Sequence, residues 1–412
     1  MPLPLRILYA AGPGDVIGTY RHWKEGRDDP SQVAATYSGQ FYSLCRELGA
    51  RGYIISYCPR VEILRDGPFW LEHRPVRFAK GPGALYHLAQ VWYGLRLTLS
   101  AVRFGANVAV ISGGAHWFSL GLLPMLGVKV VPTLHCVLWR KGRPPAGKVG
   151  RAIQRLNSRF FRKRTAGVLS LSKDISDQLA ELLQGERKAV VPFLPNYRPQ
   201  SFEGMSDAAA SPPFRVFFAG RIERNKGVFD LLEIARRFAA EERNDIEFDL
   251  CGDGSALAEL RQAITSAGVG ERFRCHGHSD KSTMRQMYSA AHTVIAPTTS
   301  DFIEGFNKVV AEGVLAGKPV ITSSVCPALE YVRDAVVEVP VNDVKAYGDA
   351  IIRLREDAGF YQEKVRGCAA AQQQFYDADR GWGAALKQML RLIDPSDRPC
   401  AESTAGRPVP AE

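Results

Sequence analysis

Hydrophobic and polar positions along the chain follow two different periods. Short apolar runs such as LRILYAA, YIISYC and NVAVIS are typical of buried strands. Between the first two of these runs, apolar residues recur at spacings of 4, 4, 3 and 4, at Val33, Tyr37, Phe41, Leu44 and Leu48. That is the period of a helix, which Gly52 ends. Strands that alternate with helices in this way predict a parallel sheet with helices on both faces.

The alternation occurs in two series. The first continues through GVLSLS and KAVVPFL, and the second comprises FRVFFAG, IEFDLCG, RFRCHG, HTVIAP and KPVITS. The segment EGMSDAAASPP between them is small, polar and ends in proline, as linkers do. The predicted fold class is α/β, with two doubly wound Rossmann-like domains that face each other across a crevice. The 412 residues also suit two domains better than one.

These patterns predict five segments. We expect a first domain over 1–200, a linker over 201–213 and a second domain over 214–375. A helical segment over 376–393 is expected to return toward the first domain. The last residues, 394–412, have no apolar period and are expected to be disordered.

Several features bear on where the protein resides. The apolar segment 107–139 is broken by glycine and proline and contains no uninterrupted run of the roughly 20 residues that a bilayer needs. We interpret it as strand, helix and strand. Arg6 is followed by an apolar run too short for a signal peptide, and the eight cysteines contain no CxxC pair. We therefore expect reduced cysteines and a cytoplasmic protein.

Charge is distributed unevenly between the two halves. Residues 1–200 contain 28 Lys and Arg against 12 Asp and Glu, a net +16, whereas residues 201–412 contain 25 against 31, a net −6. No acid occurs between Glu72 and Asp174, although 17 Lys and Arg do. Such a stretch forms either a solvated basic face or a surface that meets anionic lipid, an anionic acceptor or nucleic acid.

One segment within this acid-free stretch has the period of a basic amphipathic helix. In GKVGRAIQRLNSRFFRKR, cations recur at Arg151, Arg155, Arg159 and Arg162. Apolar residues accompany them at Ile153, Leu156, Phe160 and Phe161. The apolar side either lies on a bilayer or packs against the first domain's sheet, and both alternatives leave the arginines free to dock electrostatically. We expect a salt-sensitive, peripheral association with the anionic inner face of a membrane.

Ligands of doubly wound sheets bind beyond the carboxyl ends of the strands, so the loops there are candidate sites. The loop GPGDVIG after the first strand contains Gly12 and Gly14, where backbone could approach a phosphate. The loop RIERNKG of the second series contains Arg221 and Lys226, two cations ahead of a helix, which would suit a diphosphate or would equally suit a solvated loop.

The segment EGFNKVVAEGVLAGKPVI carries the most specific chemistry. Glu304 precedes a predicted helix, and Glu312 lies inside it. The free N–H groups of residues 305–308 lie between the two carboxylates and would bind an anion at the helix N-terminus. Hydroxyl groups on both sides of that anion could donate to the carboxylates. A sugar, a diphosphate and a second sugar have this arrangement, so the segment predicts a nucleotide-sugar site.

At these residues the chain resembles the retaining glycosyltransferases of the GT-B fold, glycosyltransferase family 4. The family's arginine–lysine element corresponds to GRIERNKG (220–227), and its two-glutamate element corresponds to EGFNKVVAE (304–312). Weaker likeness extends through LSLSKDISDQL, LPNYRPQSF, GDGSALAELRQAI and SAAHTVIAPTTS. Both elements occur in order within two such domains, which makes the resemblance specific.

The resemblance implies a role for each matching residue in the second domain. Arg221 and Lys226 would hold the donor diphosphate, Glu312 would accept hydrogen bonds from the nucleotide ribose, and Glu304 would accept them from the transferred sugar. The backbone N–H groups that would bind the distal phosphate belong to Phe306, Asn307 and Lys308. Relatives often have small or apolar residues at 307 and 308, so Lys308 would be either a third cation or a solvated side chain.

In the first domain, the resemblance places His135 against the donor sugar, although a histidine at a strand end can also be purely structural. Gly12 and Gly14 would form the facing loop. The expected reaction is hexosyl transfer, of the kind used in polysaccharide biosynthesis, from a UDP- or GDP-sugar to a glycan or lipid-linked acceptor with retention of configuration. Cations and helix-end amides can stabilise the departing diphosphate. TSDF lacks the spaced aspartates of metal-dependent glycosyltransferases, so we expect no cofactor and no obligatory metal.

Two other functions fit parts of the sequence. A non-hydrolysing nucleotide-sugar epimerase has the same two-domain fold, but its acid/base carboxylates belong in first-domain loops, where the acid-free stretch leaves few candidates. A nucleic-acid-binding protein would account for the basic half, but the second half is acidic and no recognition motif with interleaved aromatic residues occurs. We therefore expect no nucleic-acid partner.

Overall fold

The computed structural model describes residues 4–75, 83–205 and 212–394. Part of the predicted linker and nearly all of the tail predicted to be disordered lie outside these ranges. The described chain forms two α/β units, each built on a predominantly parallel sheet.

The first sheet has eight strands in the order β3-β4-β2-β1-β5-β6-β7-β8. Their bounds are β1 Arg6–Pro13, β2 Arg51–Tyr57, β3 Glu62–Asp66, β4 Phe69–His73, β5 Val108–Ile111, β6 Lys129–Leu134, β7 Val168–Ser170 and β8 Val190–Pro192. All neighbouring strands are parallel except β3 and β4, which form an antiparallel hairpin at the edge. Near-continuous apolar runs form the central strands because both faces of the sheet are covered.

The helices of this domain cover the two faces of the sheet. Their bounds are α1 Val16–Lys24, α2 Tyr37–Glu47, α3 Gly83–Phe104, α4 Leu122–Met125, α5 Lys148–Arg164 and α6 Lys173–Leu183. The chain moves toward one sheet edge between β1 and β2 and toward the other edge from β4 onward. Because parallel crossovers are right-handed, α1 and α2 lie on one face and α3 to α6 lie on the opposite face.

The second sheet has six parallel strands in the order β11-β10-β9-β12-β13-β14. Their bounds are β9 Phe214–Ala219, β10 Ile246–Cys251, β11 Phe273–Gly277, β12 Thr293–Ala296, β13 Val320–Ser323 and β14 Val336–Val339. The helices around it are α7 Val228–Ala240, α8 Leu257–Ala267, α9 Lys281–Ala290, α10 Lys308–Leu315, α11 Leu329–Val332, α12 Val344–Glu356 and α13 Ala358–Tyr376. This strand order is that of a doubly wound, Rossmann-like domain.

Each sheet has a point at which the strand order reverses direction. In the first domain it lies between β1 and β5, and in the second between β9 and β12. The loops that follow these strands diverge to opposite faces, so a crevice opens beyond their carboxyl ends. The predicted glycine loop follows β1, the predicted cation loop follows β9, and the two-glutamate segment follows β12.

The last described helix, α14 (Trp382–Ile393), lies against the first domain and contacts α2, β7 and β8. The Trp382 ring packs 5.0 Å from the ring of Tyr9 in β1, and the Ile393 carbonyl accepts a hydrogen bond of 2.8 Å from the Lys129 ammonium. The chain therefore crosses from the second domain back to the first after α13.

The predicted fold class, two doubly wound α/β domains, is confirmed, but some predicted elements are wrong in detail. The glycine loop is shorter than predicted, because Asp15 caps α1 by accepting from the Gly18 N–H at 2.6 Å. The helix predicted inside the apolar segment 107–139 is split into the 3-10 turn Trp117–Leu120 and the short α4, which contains Pro124. The β3–β4 hairpin and β14 were not predicted.

The basic helix α5 forms as its period predicts, and its apolar side packs inward. Phe160 and Phe161 are buried in the core of the first domain, whereas Arg151, Arg155 and Arg159 are exposed. Of the two alternatives left open by the sequence, packing against the domain therefore holds for these two aromatic residues. Among the residues described, no helix is long and apolar enough to span a membrane.

Candidate active site

Two cavities meet in the crevice, one at each point where the strand order reverses. The first, of about 530 Å³, is lined by the loops after β1 and β5. The second, of about 760 Å³, is lined by the loops after β9, β10, β11 and β12. Both cavities include the same five residues at their junction, which are Gln32, Cys136, Glu304, Asn307 and Lys308. A ligand large enough to span the junction would contact both domains.

The predicted cations lie together in the second cavity. Lys226 forms a salt bridge with Glu304, and each of these two side chains is only 13% exposed. The Lys226 ammonium also lies 3.9 Å from the centroid of the Phe302 ring, and the Arg221 guanidinium lies 5.2 Å from the same ring. Arg221 is 58% exposed and pairs with Glu223 at 3.1 Å. The two cations therefore have unequal environments, since Lys226 is enclosed and Arg221 borders solvent.

The segment between Glu304 and α10 presents backbone donors toward this junction. Asn307 precedes the helix with a φ of +67°, and its side chain makes no capping hydrogen bond. No acceptor in the described chain meets the N–H groups of Phe306, Asn307 and Lys308. These amides lie at the positive end of the helix dipole, which favours binding of an anion. The predicted placement of the three amides is thus compatible with a phosphate.

Glu312 lies on the first turns of α10 and lines the second cavity. Its Oε2 accepts from the Tyr288 hydroxyl at 2.8 Å, and its Oε1 accepts from the Tyr197 hydroxyl at 3.3 Å. Burial raises the pKa of the Glu312 carboxyl, and hydrogen bonds from the two tyrosines together with the Lys308 charge oppose that rise. Each carboxylate oxygen retains a second lone pair that could accept from a ligand hydroxyl.

Lys308 is directed into the crevice rather than to solvent, which decides between the two alternatives left open by the sequence. It lines both cavities, and its ammonium lies 5.2 Å from the centroid of the Tyr37 ring in the first domain. Burial lowers the pKa of Lys308, and the nearby Glu312 opposes that shift. Lys308 is therefore a third cation at the junction of the cavities.

The two domains are in close contact at Gly305. A Cβ atom at this position would lie 1.8 Å from the carbonyl oxygen of His135. Beside it, the Val137 N–H donates to the Glu304 carbonyl at 3.4 Å. Only glycine allows this approach between the loop after β6 and the loop after β12.

His135 lines the first cavity and belongs to a hydrogen-bonded relay that reaches the C-terminal helix. The Trp382 indole N–H donates to the Thr133 hydroxyl at 2.9 Å, and that hydroxyl lies 3.2 Å from His135 Nε2. The Thr133 hydroxyl therefore links the Trp382 indole to Nε2 of His135. The other ring nitrogen, Nδ1, is buried without a partner in the described chain.

The two glycines predicted to face the second domain also line the first cavity. Gly12 has a φ of +78° and Gly14 a φ of +147°, both of which favour glycine. The Gly14 N–H donates to the Tyr57 carbonyl at 3.1 Å, so this amide is engaged within the domain. Gly12 and Gly14 therefore shape the cavity wall on the side opposite Glu304 and Lys308.

Several residues at the site were not predicted from the sequence. Phe302 lies under both cations, and Tyr197 and Tyr288 donate to Glu312. These three residues come from the loop after β12, the segment after β8 and helix α9, which share no local motif. Trp382 acts on His135 across 247 positions of sequence, through Thr133. Phe302 alone had a nearby signal, because it is the last residue of the stretch TSDF in the predicted loop.

In the ranges described, no group of three or more His, Cys, Asp or Glu side chains is placed to hold a metal ion. The independence from divalent cations expected from the sequence stays a prediction.

Comparison with known families identifies the second domain. Residues 206–373 match the family model described as Glycosyl transferases group 1. The match covers the second domain and less than half of the chain. Its two predicted elements, GRIERNKG and EGFNKVVAE, both lie within the matched residues.

Curated relatives extend the similarity into the first domain. The alpha-D-kanosaminyltransferase of Streptomyces kanamyceticus is 24% identical over 274 residues, which cover 63% of this chain and 69% of that protein. The 2-deoxystreptamine glucosyltransferase of the same organism is 24% identical over 381 residues, which cover 84% of this chain and 96% of that protein.

Solved structures share the fold across almost the whole chain. Anabaena Alr3699/HepE in complex with UDP aligns with a TM-score of 0.63 at 15% identity and covers 94% of this chain and 98% of its own. The Anabaena protein has also been crystallised with UDP-glucose. With two Rossmann-like domains facing a crevice, the fold of this chain is GT-B.

The buried imidazole of His135 should affect the unfolding free energy of the chain at low pH. Burial, followed by the charge of Lys308, lowers the pKa of His135 to about 3. Below the ordinary histidine pKa of about 6.5, the unfolded chain takes up a proton that the folded chain does not, so His135 should destabilise the fold as pH falls. We expect the wild type to lose about 2 kcal/mol more unfolding free energy than His135→Gln between about pH 7 and pH 4.5. Denaturant titrations at both pH values measure this, and equal losses would contradict the buried, neutral imidazole.

Proposed function

We propose that this chain transfers a hexosyl group from a nucleotide-sugar donor to an acceptor with retention of anomeric configuration. The observation that carries the proposal is the grouping of Arg221, Lys226, Glu304 and Glu312 in one cavity beyond the carboxyl ends of β9 and β12. Three cations, three unengaged amides and two carboxylates there match an anion flanked by hydroxyl groups. The family model that the second domain matches and the UDP complex of the Anabaena protein support this reading.

The geometry suggests how the donor would lie. The diphosphate would be held between Lys226 and the amides of residues 306–308, with Arg221 at the solvent side. The ribose would donate to the free lone pairs of Glu312. The transferred sugar would lie at the junction of the cavities, near Glu304 and His135, and the acceptor would enter through the first cavity.

The chemistry requires stabilisation of the leaving group more than it requires a nucleophile. As the bond between sugar and phosphate breaks, negative charge grows on the diphosphate, and fixed cations and amides in a water-poor cavity stabilise it. Glu304 is held in its salt bridge with Lys226, which suits binding of a sugar hydroxyl. We therefore propose attack by the acceptor on the face from which the diphosphate leaves, without an enzyme-bound sugar.

Donor, acceptor and location belong to the same proposal. The proposed donor nucleotide is UDP, which is present in the Anabaena complexes. GDP is the other candidate. The acceptor is proposed to be a glycan or a lipid-linked glycan, and the working site the inner face of an anionic membrane. Because the side-chain cations and amides supply the positive charge, we propose that no divalent cation is required.

The epimerase alternative needs acid and base carboxylates beside the first cavity. Asp15 and Asp29 line it, but both are engaged. Asp15 caps α1 and pairs with Arg60 at 2.6 Å, and Asp29 accepts from Thr19 at 2.5 Å and from Ser31 at 2.6 Å. These hydrogen bonds lower the pKa of Asp29 although burial opposes them. Carboxylates held in this way are poor proton shuttles, which favours the transferase.

The two glutamates should fail in different ways. Glu312→Gln should weaken UDP binding by about tenfold, because a charge-assisted acceptor for the ribose is lost. Glu304→Gln should leave UDP binding unchanged or tighter, because Lys226 loses its internal partner, while sugar transfer falls. Calorimetry with UDP and donor-turnover assays separate the two effects. Equal losses of UDP affinity in both variants would mean that the ends of the ligand are assigned wrongly.

A donor screen tests the proposal as a whole. The purified chain is incubated with UDP-, GDP- and ADP-sugars without acceptor, and release of nucleoside diphosphate is measured. Slow hydrolysis of one donor is expected, since water can replace the acceptor. Conversion of a nucleotide sugar to its epimer, or no turnover of any donor when binding is also absent, would contradict the transferase.

A further inference from the structure

Helix α3 presents an apolar stripe to the outside of the first domain. The exposed apolar residues recur at spacings of 3, 4, 3, 4 and 3, at Leu85, Leu88, Trp92, Leu95, Leu99 and Val102. The opposite side of the same helix is also apolar, and Tyr93, Leu97, Ala101 and Phe104 from it are buried in the core. The helix is therefore apolar on two sides although the domain uses only one of them.

The stripe continues onto the neighbouring helix α4, which contacts α3. Leu122, Met125 and Leu126 are all exposed there. Single exposed apolar residues are ordinary on protein surfaces, but a contiguous group of this extent marks an interaction site.

Cations border this surface on the same face of the sheet. Arg96 and Arg103 of α3 are exposed beside the stripe, and Arg151, Arg155 and Arg159 of α5 are exposed nearby, since α5 and α3 both contact the 3-10 turn at Trp117–Leu120. No Asp or Glu occurs between Glu72 and Asp174, so carboxylates do not interrupt the pattern along this part of the chain.

We propose that α3 and α4 lie in the headgroup region of an anionic lipid bilayer, with the arginines of α3 and α5 against its phosphates. An apolar stripe bordered by cations is the pattern of helices that lie in the plane of a membrane, where apolar burial and attraction to anionic lipid add together. Trp92 and Tyr86 are amphipathic rings suited to that depth. A second copy of the chain is disfavoured as the partner, because it would bring two basic surfaces together.

This placement differs from the one that the sequence indicated. The period of α5 suggested that this helix itself lies on the bilayer, but Phe160 and Phe161 are buried. In the structure α5 supplies charge, and α3 and α4 supply the apolar contact.

The surface adjoins the acceptor side of the candidate active site. His87 of α3 lies 2.9 Å from His116, ring nitrogen to ring nitrogen, and Tyr93 packs 4.9 Å from Tyr57. Tyr57, Gly113 and Gly114 line the first cavity. The N-terminal end of α3 thus lies next to the cavity proposed to admit the acceptor. Delivery of a lipid-linked acceptor to that cavity rests on the proposed function, whereas membrane binding does not.

Trp92 provides an internal reporter for the test. All six tryptophans lie in the described ranges, and Trp92, at 64%, is the one among them whose side chain is exposed. The full chain is mixed with vesicles of phosphatidylcholine alone or with phosphatidylglycerol, at low and high salt. With anionic vesicles at low salt we expect co-sedimentation, tryptophan emission shifted to shorter wavelength, and quenching by brominated lipid acyl chains. High salt should weaken binding because added ions screen the arginines.

Leu88→Glu is the decisive variant because it keeps the reporter, and Leu392→Glu is its matched control. Leu392 is 52% exposed on α14, which packs on α2 at the opposite face of the sheet. Leu88→Glu should lower the vesicle-bound fraction about tenfold or more at fixed lipid, and Leu392→Glu should not change it. Replacing Arg155 and Arg159 with Glu should weaken binding mainly at low salt.

Three outcomes would overturn the proposal. In the first, the wild type stays in the supernatant with anionic vesicles at low salt. In the second, Leu88→Glu binds vesicles as the control does. In the third, sedimentation velocity shows that Leu88→Glu dissociates a dimer, which would make a second copy of the chain the partner. Donor hydrolysis without vesicles separates the two proposals. A chain that binds vesicles and hydrolyses no donor contradicts the function alone, and a chain that hydrolyses a donor but ignores vesicles contradicts the surface alone.

Discussion

Replacing Lys226 with alanine should lower donor turnover by about 100-fold or more. The ammonium lies in the second cavity over the Phe302 ring and forms a largely buried salt bridge with Glu304. Its loss removes a cation that the diphosphate needs and leaves the Glu304 carboxylate enclosed without a partner, beside the incoming negative charge. Such a loss is worth about 3 kcal/mol in transition-state binding. Steady-state kinetics with the cognate donor measure it.

The donor turnover of Lys226→Ala is to be compared with that of two other variants in the same loop. Arg221→Ala should cost less, about tenfold, because its guanidinium is half-exposed and screened by solvent. Arg224 is the matched control, since it is 66% exposed in the same turn and pairs with Glu259 away from the cavity. Arg224→Ala should leave turnover unchanged. If Lys226→Ala and Arg224→Ala have the same kinetics, the diphosphate does not bind at Lys226.

Replacing Gly305 with alanine should abolish most sugar transfer and spare nucleotide binding. The new methyl group would lie 1.8 Å from the His135 carbonyl oxygen, in backbone that has little room to yield. The loops after β6 and β12 would be forced apart, so that His135 and the first cavity would move away from the sugar. A displacement of about 1 Å at a reacting centre can cost about 100-fold in rate.

Lys226, Arg221 and Glu312 keep their places within the second domain, so UDP affinity measured by calorimetry should fall far less than the rate of sugar transfer. Gly147→Ala is the matched control, because Gly147 has an ordinary φ of −68° and an added Cβ there meets nothing within 4 Å. Full activity of Gly305→Ala would show that the close contact between the domains is not needed for transfer.

The sequence was informative where function depends on residues close together along the chain. Glu304 and Glu312, separated by a turn and a helix entrance, were recognisable because the helix period places them around a set of free amides. Arg221 and Lys226 were recognisable because both stand in one loop after a strand. The doubly wound fold followed from alternating periods, which depend on local burial.

What could not be predicted depends on contacts between distant segments. Tyr197 and Tyr288 meet at Glu312 only after the segment that follows β8 and the helix α9 have packed. The hydrogen bond that Thr133 accepts beside His135 comes from Trp382, which reaches β6 because α14 returns to the first domain. The exposed stripe on α3 could not be predicted, because the sequence shows an apolar helix but not which of its sides the rest of the domain covers.

The central claim, retaining transfer from a nucleotide sugar, is tested most directly by proton NMR of the reaction with the donor identified in the screen. The anomeric signals are followed from the first turnovers, before the released sugar mutarotates. With an α-linked donor, we expect an α-configured product to appear first at the rate at which nucleoside diphosphate forms. A β-configured first product would contradict retention, and an epimerised nucleotide sugar without diphosphate release would contradict transfer itself.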